Sequence, residues 1–188
     1  MLPPSLLSDV AGSGDARLAR DITVVQQGRT IKYVELQVRW KPCPTFRGRY
    51  VKDGWMSRTW SRPVAADDCS EDCWDPGCKQ ESSDIPVDGN PHFELLPKVV
   101  DHGGMPLKPF KGLHICQPTL SLHDDDGTIY FMTKKNHMDG MAWVIAVDMH
   151  RNTLRGVAEF SADRTVGVGF TYMHSRISQY LTTAHNVN

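Results

Sequence analysis

No stretch of this chain is apolar for long enough to cross a membrane as a helix, which takes roughly 18 apolar residues in a row. No membrane partner is therefore expected. A dominant charge is missing as well. The 21 Lys and Arg against 22 Asp and Glu leave a formal charge of −1, which supplies no general attraction to nucleic acid. No nucleic-acid partner is expected either. The opening MLPPSLLSDV has neither the basic start nor the long apolar core of a secretory signal, and Asp9 and Asp15 do not suit an organellar transit peptide. Cysteine is sparse and odd in number, five in all. An odd count without an export signal fits a reducing compartment, so the expected setting is the cytoplasm or nucleus.

Signatures of chemistry are equally thin. No serine sits in a G-x-S-x-G setting. The eight histidines (His92, His102, His114, His123, His137, His150, His174 and His185) form neither H-x-x-x-H nor H-E-x-x-H. DHGGM, Asp101 to Met105, is glycine-rich but lies among prolines rather than between a strand and a helix, which a phosphate cradle would require. HDDDG, His123 to Gly127, invites a calcium reading. With Gly127 at the sixth loop position, however, Leu122 and Thr133 would have to be acidic. A hairpin turn explains the run better, because Asp and Gly tolerate turn geometry.

Cys69, Cys73 and Cys78 are spaced C-x3-C-x4-C, with Cys43 distant. Structural zinc wants four ligands, usually as two close pairs. Three in one loop fall short, and they read as unpaired loop thiols. A triad assembled in space needs no fixed spacing. For that alternative, His123 or His174 with nearby carboxylates are the candidates.

What the chain does contain is strand pattern. From Gln117 to Phe160 it reads QPTLSLH–DDDG–TIYFMTKK and then MAWVIAVDMH–RN–TLRGVAEF. Such runs of Val, Ile, Thr, Tyr, Phe and Trp broken by turn residues predict successive antiparallel hairpins. Trp143 to Val147 is apolar on both faces, which predicts an inner strand. Along Thr153 to Phe160, Leu154, Ala158 and Phe160 are expected to share a side. Upstream, strand signals begin at Asp21 and return from Arg29 to Trp40. There Val34, Leu36, Val38 and Trp40 fall on one face and Glu35, Gln37 and Arg39 on the other, as in a half-exposed strand. Ile31 and Tyr33 take the opposite phase, which points to a bulge near Tyr33.

Asp53 to Arg62 is the next strand, with Trp55 and Trp60 five apart and so on opposite faces. Between Pro63 and Pro91 lie eight acidic residues against the single base Lys79, so that segment carries −7 and the remainder +6. It has no periodicity, and it reads as a solvated acidic insertion. VGVGFTY, Val166 to Tyr172, predicts a further strand, and SRISQYL, Ser175 to Leu181, a short helix capped by Ser175.

PTLSLHDDDGTIYFM, AWVIAVDM, LRGVAEF and FTYMHSRISQYL, with DITVVQQGRTIKYVELQV and GWMSRTWSRP upstream, resemble the DUF1618 family of plants, expanded in grasses. The resemblance runs from about Asp21 to Leu181. It implies a β-propeller-like fold akin to the domains associated with F-box proteins, and it brings no catalytic or ligand residue to this chain. The chain departs from longer members in lacking an extended region before the shared domain, and in its cysteine-rich insert.

The expectation is an all-β fold of antiparallel hairpins, either an incomplete β-propeller-like array or a sandwich, with a short C-terminal helix. Residues 1–19 are expected to be a flexible lead-in, and 20–182 a single β-rich domain with its acidic cysteine-rich insertion at about 63–91. Residues 183–188 form a tail. No catalytic, metal-binding or cofactor-binding residue is assigned. The expected function is that of a non-catalytic protein-interaction module with an unidentified protein partner. The alternatives are a substrate-recruiting partner of a ubiquitin ligase, or a hydrolase with a spatially assembled triad.

Overall fold

The computed structural model describes residues 19–25, 29–44, 46–65, 74–101, 103–122, 127–136 and 139–161. In these, β-branched and aromatic runs separated by turns form eight strands. They are β1 (Arg20–Val25), β2 (Thr30–Pro42), β3 (Tyr50–Pro63), β4 (Asp75–Glu81), β5 (His114–Leu120), β6 (Thr128–Lys134), β7 (Met141–Asp148) and β8 (Thr153–Ser161). Each successive pair within a sheet is antiparallel, giving two four-stranded meanders, β1-β2-β3-β4 and β5-β6-β7-β8. The fold is all-β and sandwich-like, as the strand pattern predicts. Among the described residues no helix is long and apolar enough to cross a membrane.

The sheets meet through one face each. Val34, Leu36 and Trp55 from the first pack with Ile115, Leu120, Ile129, Phe131, Ile145, Val147 and Leu154 from the second. Each large side chain buried this way contributes about 1.5–3 kcal/mol. The connector between β4 and β5 completes this core rather than skirting it, by inserting Ile85, Phe93, Leu96 and Phe110. Phe110 has a φ of 67°, which costs a non-glycine residue roughly 1–2 kcal/mol. Its ring is wedged edge-on against Trp55 at 5.8 Å and Phe93 at 5.7 Å, and burial of that ring offsets the strain.

Trp55 and Trp60 lie on opposite faces, as their spacing predicts. Trp60 joins Tyr33 and Trp74 in a second cluster on the outer face of the first sheet. β7 is an inner strand, between β6 and β8.

Four sequence expectations are corrected. Glu35 is fully buried rather than outward, because the outer aromatic cluster covers that face too. Its carboxylate accepts from the Tyr33 hydroxyl at 2.6 Å and pairs with Arg20 Nε at 3.0 Å. The irregularity in β2 falls between Arg39 and Trp40, not near Tyr33. In β8 a register shift opposite Ala146 and Val147 reverses the phase. Leu154 therefore enters the main core, whereas Phe160 packs with Tyr130, Val144 and Ala146 on the other face.

The fourth correction concerns the stretch from 63 to 91. It contains β4, paired with β3 from Met56–Glu81 to Ser61–Asp75, followed by a 3-10 turn at Ser82–Asp84. Its Pro76 and Gly77 hid the strand; proline is tolerated because β4 is last in its sheet. The predicted Val166 to Tyr172 strand and the C-terminal helix lie outside the described residues.

Candidate functional site

Two places on this scaffold carry features that packing alone does not require. The first is the tip of the β2–β3 hairpin. β1 pairs only with Thr30 to Glu35, and β4 only with Met56 to Ser61. Beyond that, Trp40–Lys52, Lys41–Val51 and Pro42–Tyr50 continue the β2–β3 pairing without β1 or β4 beside them, and the connector touches this ribbon where Gly112 N–H donates to Lys52 O at 3.3 Å. The loop is closed by Cys43 N–H donating to Arg49 O at 2.7 Å and Arg49 N–H to Phe46 O at 3.2 Å.

Three aromatic side chains stand in solvent here: Trp40 is 56% exposed, Phe46 47% and Tyr50 64%. Cations lie on two of them, Lys52 Nζ at 5.4 Å from the Trp40 ring centre and the Arg49 guanidinium at 5.3 Å from that of Phe46. From Arg39 to Asp53 the ribbon holds Arg39, Lys41, Arg47, Arg49 and Lys52 against one acid, Asp53. Asp53 is shared by Lys41 at 2.7 Å and Lys111 at 2.9 Å, and these two ammonium groups hold its carboxyl below the usual carboxylate range. Burial lowers Lys52 to about 8. The surface is aromatic and positively charged.

The second place is a cavity of about 150 Å³ between the sheets, lined among others by Lys32, Ser61, Ser121, Thr128, Cys78 and His150. Cys78 Sγ lies 3.3 Å from His150 Nδ1. Cys78 sits on β4, where its N–H donates to Thr59 Oγ1 at 2.9 Å. His150 follows β7 in a turn whose Asp148 Oδ1 accepts from the N–H groups of His150 and Arg151, both at 3.0 Å. Gly127, at φ +58°, lies against the imidazole, and a Cβ there would run into the ring. Burial, and then the nearby Asp148 charge, push the Cys78 thiol up. A raised pKa keeps it a thiol at neutral pH, the opposite of an activated nucleophile.

His123 and His174, the candidates for a spatial triad, lie outside the described residues, as do Cys69 and Cys73. Cys78 lies against a histidine 72 residues away. Among the described residues no three His, Cys, Asp or Glu side chains group as a metal cage. The Asp101–Met105 loop is occupied with itself: Asp101 Oδ1 accepts from Gly103 N–H at 2.8 Å and Met105 N–H at 2.9 Å. Those amides are not offered to a phosphate.

Sequence reasoning missed both places. The hairpin tip did carry a signal, the density of Lys, Arg and aromatic residues in RWKPCPTFRGRYVK, at the point where apolar alternation stops. The Cys78–His150 pair carried none, because it is created by stacking two sheets.

A family model described as a protein of unknown function (DUF1618) matches residues 1–130. No curated protein matches the chain, and no solved structure does.

Proposed function

The chain belongs to the DUF1618 family, and from that starting point we propose that it is a non-catalytic protein-interaction module that docks acidic segments of a partner on the β2–β3 hairpin tip. One observation carries this reading: Trp40, Phe46 and Tyr50 are all exposed within one ribbon that also carries five cations against one acid. Trp, Tyr and Arg dominate binding energy at protein interfaces because they bury large area and pair with defined geometry. Clustered positive charge steers an acidic partner toward the tip and fixes its register.

The scaffold supports the same reading. Two successive four-stranded antiparallel meanders pack face to face, with β1 touching β5. Such folds bind through the loops at one end.

A hydrolase has one observation in its favour, the Cys78–His150 contact beside a cavity. The raised thiol pKa weighs against it.

The test is fluorescence anisotropy with a labelled peptide rich in Glu and Asp and carrying one Leu or Trp. Wild-type protein is expected to bind it in a salt-sensitive manner, and Trp40→Ala with Tyr50→Ala to weaken it about tenfold, or about 1.4 kcal/mol. Equal binding by the variant would contradict the assignment. Tighter binding of a single-stranded oligonucleotide of matched charge would make the partner a nucleic acid and end this reading.

A further inference from the structure

We propose that Lys52 is a site of reversible carbamylation, at which the side-chain amine takes up dissolved carbon dioxide and becomes an N-linked carboxylate. The site lies within the docking tip, but the modification itself does not depend on that reading.

Its surroundings set Lys52 apart from other lysines of the chain. Asp53, the next residue, is shared by Lys41 at 2.7 Å and Lys111 at 2.9 Å. Lys79 pairs with Glu81 and Lys98 with Glu94, while Lys134 Nζ donates to the Asp139 carbonyl. Among the described residues no carboxylate pairs with Lys52, and its ammonium lies instead 5.4 Å from the centre of the Trp40 ring. Lys135 rests on Trp143 in the same manner, at 6.0 Å, but stands in solvent. Lys52 is half-buried.

Two effects oppose each other at this nitrogen. The face of an indole favours the ammonium, whereas burial without a counter-ion favours the neutral amine. Burial prevails and lowers Lys52 to about 8. The Cys116 thiol of β5, whose thiolate would hold the ammonium, is itself pushed up to about 11 by burial and stays neutral. At pH ~7 about one Lys52 in ten is therefore the free base, against roughly one in 3,000 for an ordinary lysine.

Only the free base has the lone pair that attacks an electrophile. That pair forms an N–C bond to carbon dioxide, one C=O π bond gives its electrons to oxygen, and the proton leaving nitrogen goes to solvent. Carbon dioxide is small and uncharged, so it reaches a half-buried amine without a pocket of its own. The product suits the ribbon. From Arg39 to Asp53 five cations stand against one acid, a net charge of +4, and exchanging one ammonium for a carboxylate leaves +2. Self-repulsion falls, and an acidic partner meets a weaker field.

Carbon-13 bicarbonate, which equilibrates with dissolved carbon dioxide, is added to the intact chain at about pH 8, and the carbamate carbon is read by NMR. The α-amine of Met1 titrates in the same range and gives a carbamate resonance of its own. Wild type is expected to show two resonances, both lost on degassing. Lys52→Arg should keep only that of the α-amine, and Lys135→Arg should keep both. Trapping with an alkylating oxonium reagent and peptide mass spectrometry should find the modified lysine at Lys52 in wild type, whatever the variants do. A wild-type spectrum with the α-amine resonance alone, or two resonances in Lys52→Arg, overturns the proposal. At matched ionic strength, bicarbonate should also weaken acidic-peptide binding in wild type and not in Lys52→Arg. A Lys52 carbamate with unchanged peptide affinity would uphold the modification and count against the docking surface.

Discussion

Trp55 and Phe131 face each other across the gap between the sheets, ring centres 4.9 Å apart and planes tilted by 39°. One comes from β3 and the other from β6, so this contact joins the two meanders into one core. Both are essentially without solvent exposure.

Removing either ring should therefore destabilise the whole chain. Trp55→Ala and Phe131→Ala are each expected to cost about 3–5 kcal/mol. Because they share one contact, the double variant should lose less than the sum. Denaturant unfolding checks both, and strict additivity would mean that the rings do not support each other.

Tyr33 makes a second prediction. Burial, and then its hydrogen bond to Glu35, raise its hydroxyl pKa above the ordinary value near 10. A phenol with a raised folded-state pKa contributes stability in full below its unfolded value, and that contribution is lost as pH rises through the folded one. Phenolate absorbance should show one tyrosine that stays protonated well above pH ~10 until the chain unfolds. Tyr33→Phe should remove this late titration.

How much of this was legible beforehand depended on whether a local pattern reflected a non-local partner. The two central hairpins were readable because Asp-Gly and Arg-Asn breaks separate runs of β-branched and aromatic residues. Glu35 was misplaced because its polarity says outward. Only the tertiary stack of Tyr33 on β2, Trp60 on β3 and Trp74 just ahead of β4 makes its face an interior one. β4 was missed because DPGCKQE has no alternation; its strand form comes from pairing with β3. Cys78 and His150 could not be joined at all, since nothing within either neighbourhood refers to the other.

Gly127→Ala tests the cavity wall. Alanine at φ +58° costs about 1–2 kcal/mol, and its methyl must displace the His150 ring. The expected result is a modest loss of stability with a changed His150 imidazole resonance. An unchanged resonance would contradict the packing of that ring on Gly127.

Lys52 gives the docking surface a pH dependence. Lowered from the ordinary lysine value of 10.5 to about 8 by burial, its amine loses charge within a few units of neutral pH. Affinity for the acidic peptide should fall between about pH 7 and about pH 9. Lys52→Arg, which keeps its charge, should remove most of that fall. An identical decline in the variant would mean that Lys52 does not face the ligand.

Amide chemical-shift mapping of the acidic peptide on isotope-labelled protein tests the docking claim most directly. The account predicts perturbations concentrated at Trp40, Phe46, Arg49 and Tyr50, with Thr128 and His150 unmoved. Perturbations centred on the Cys78–His150 cavity, or none at the hairpin tip under binding conditions, would contradict it.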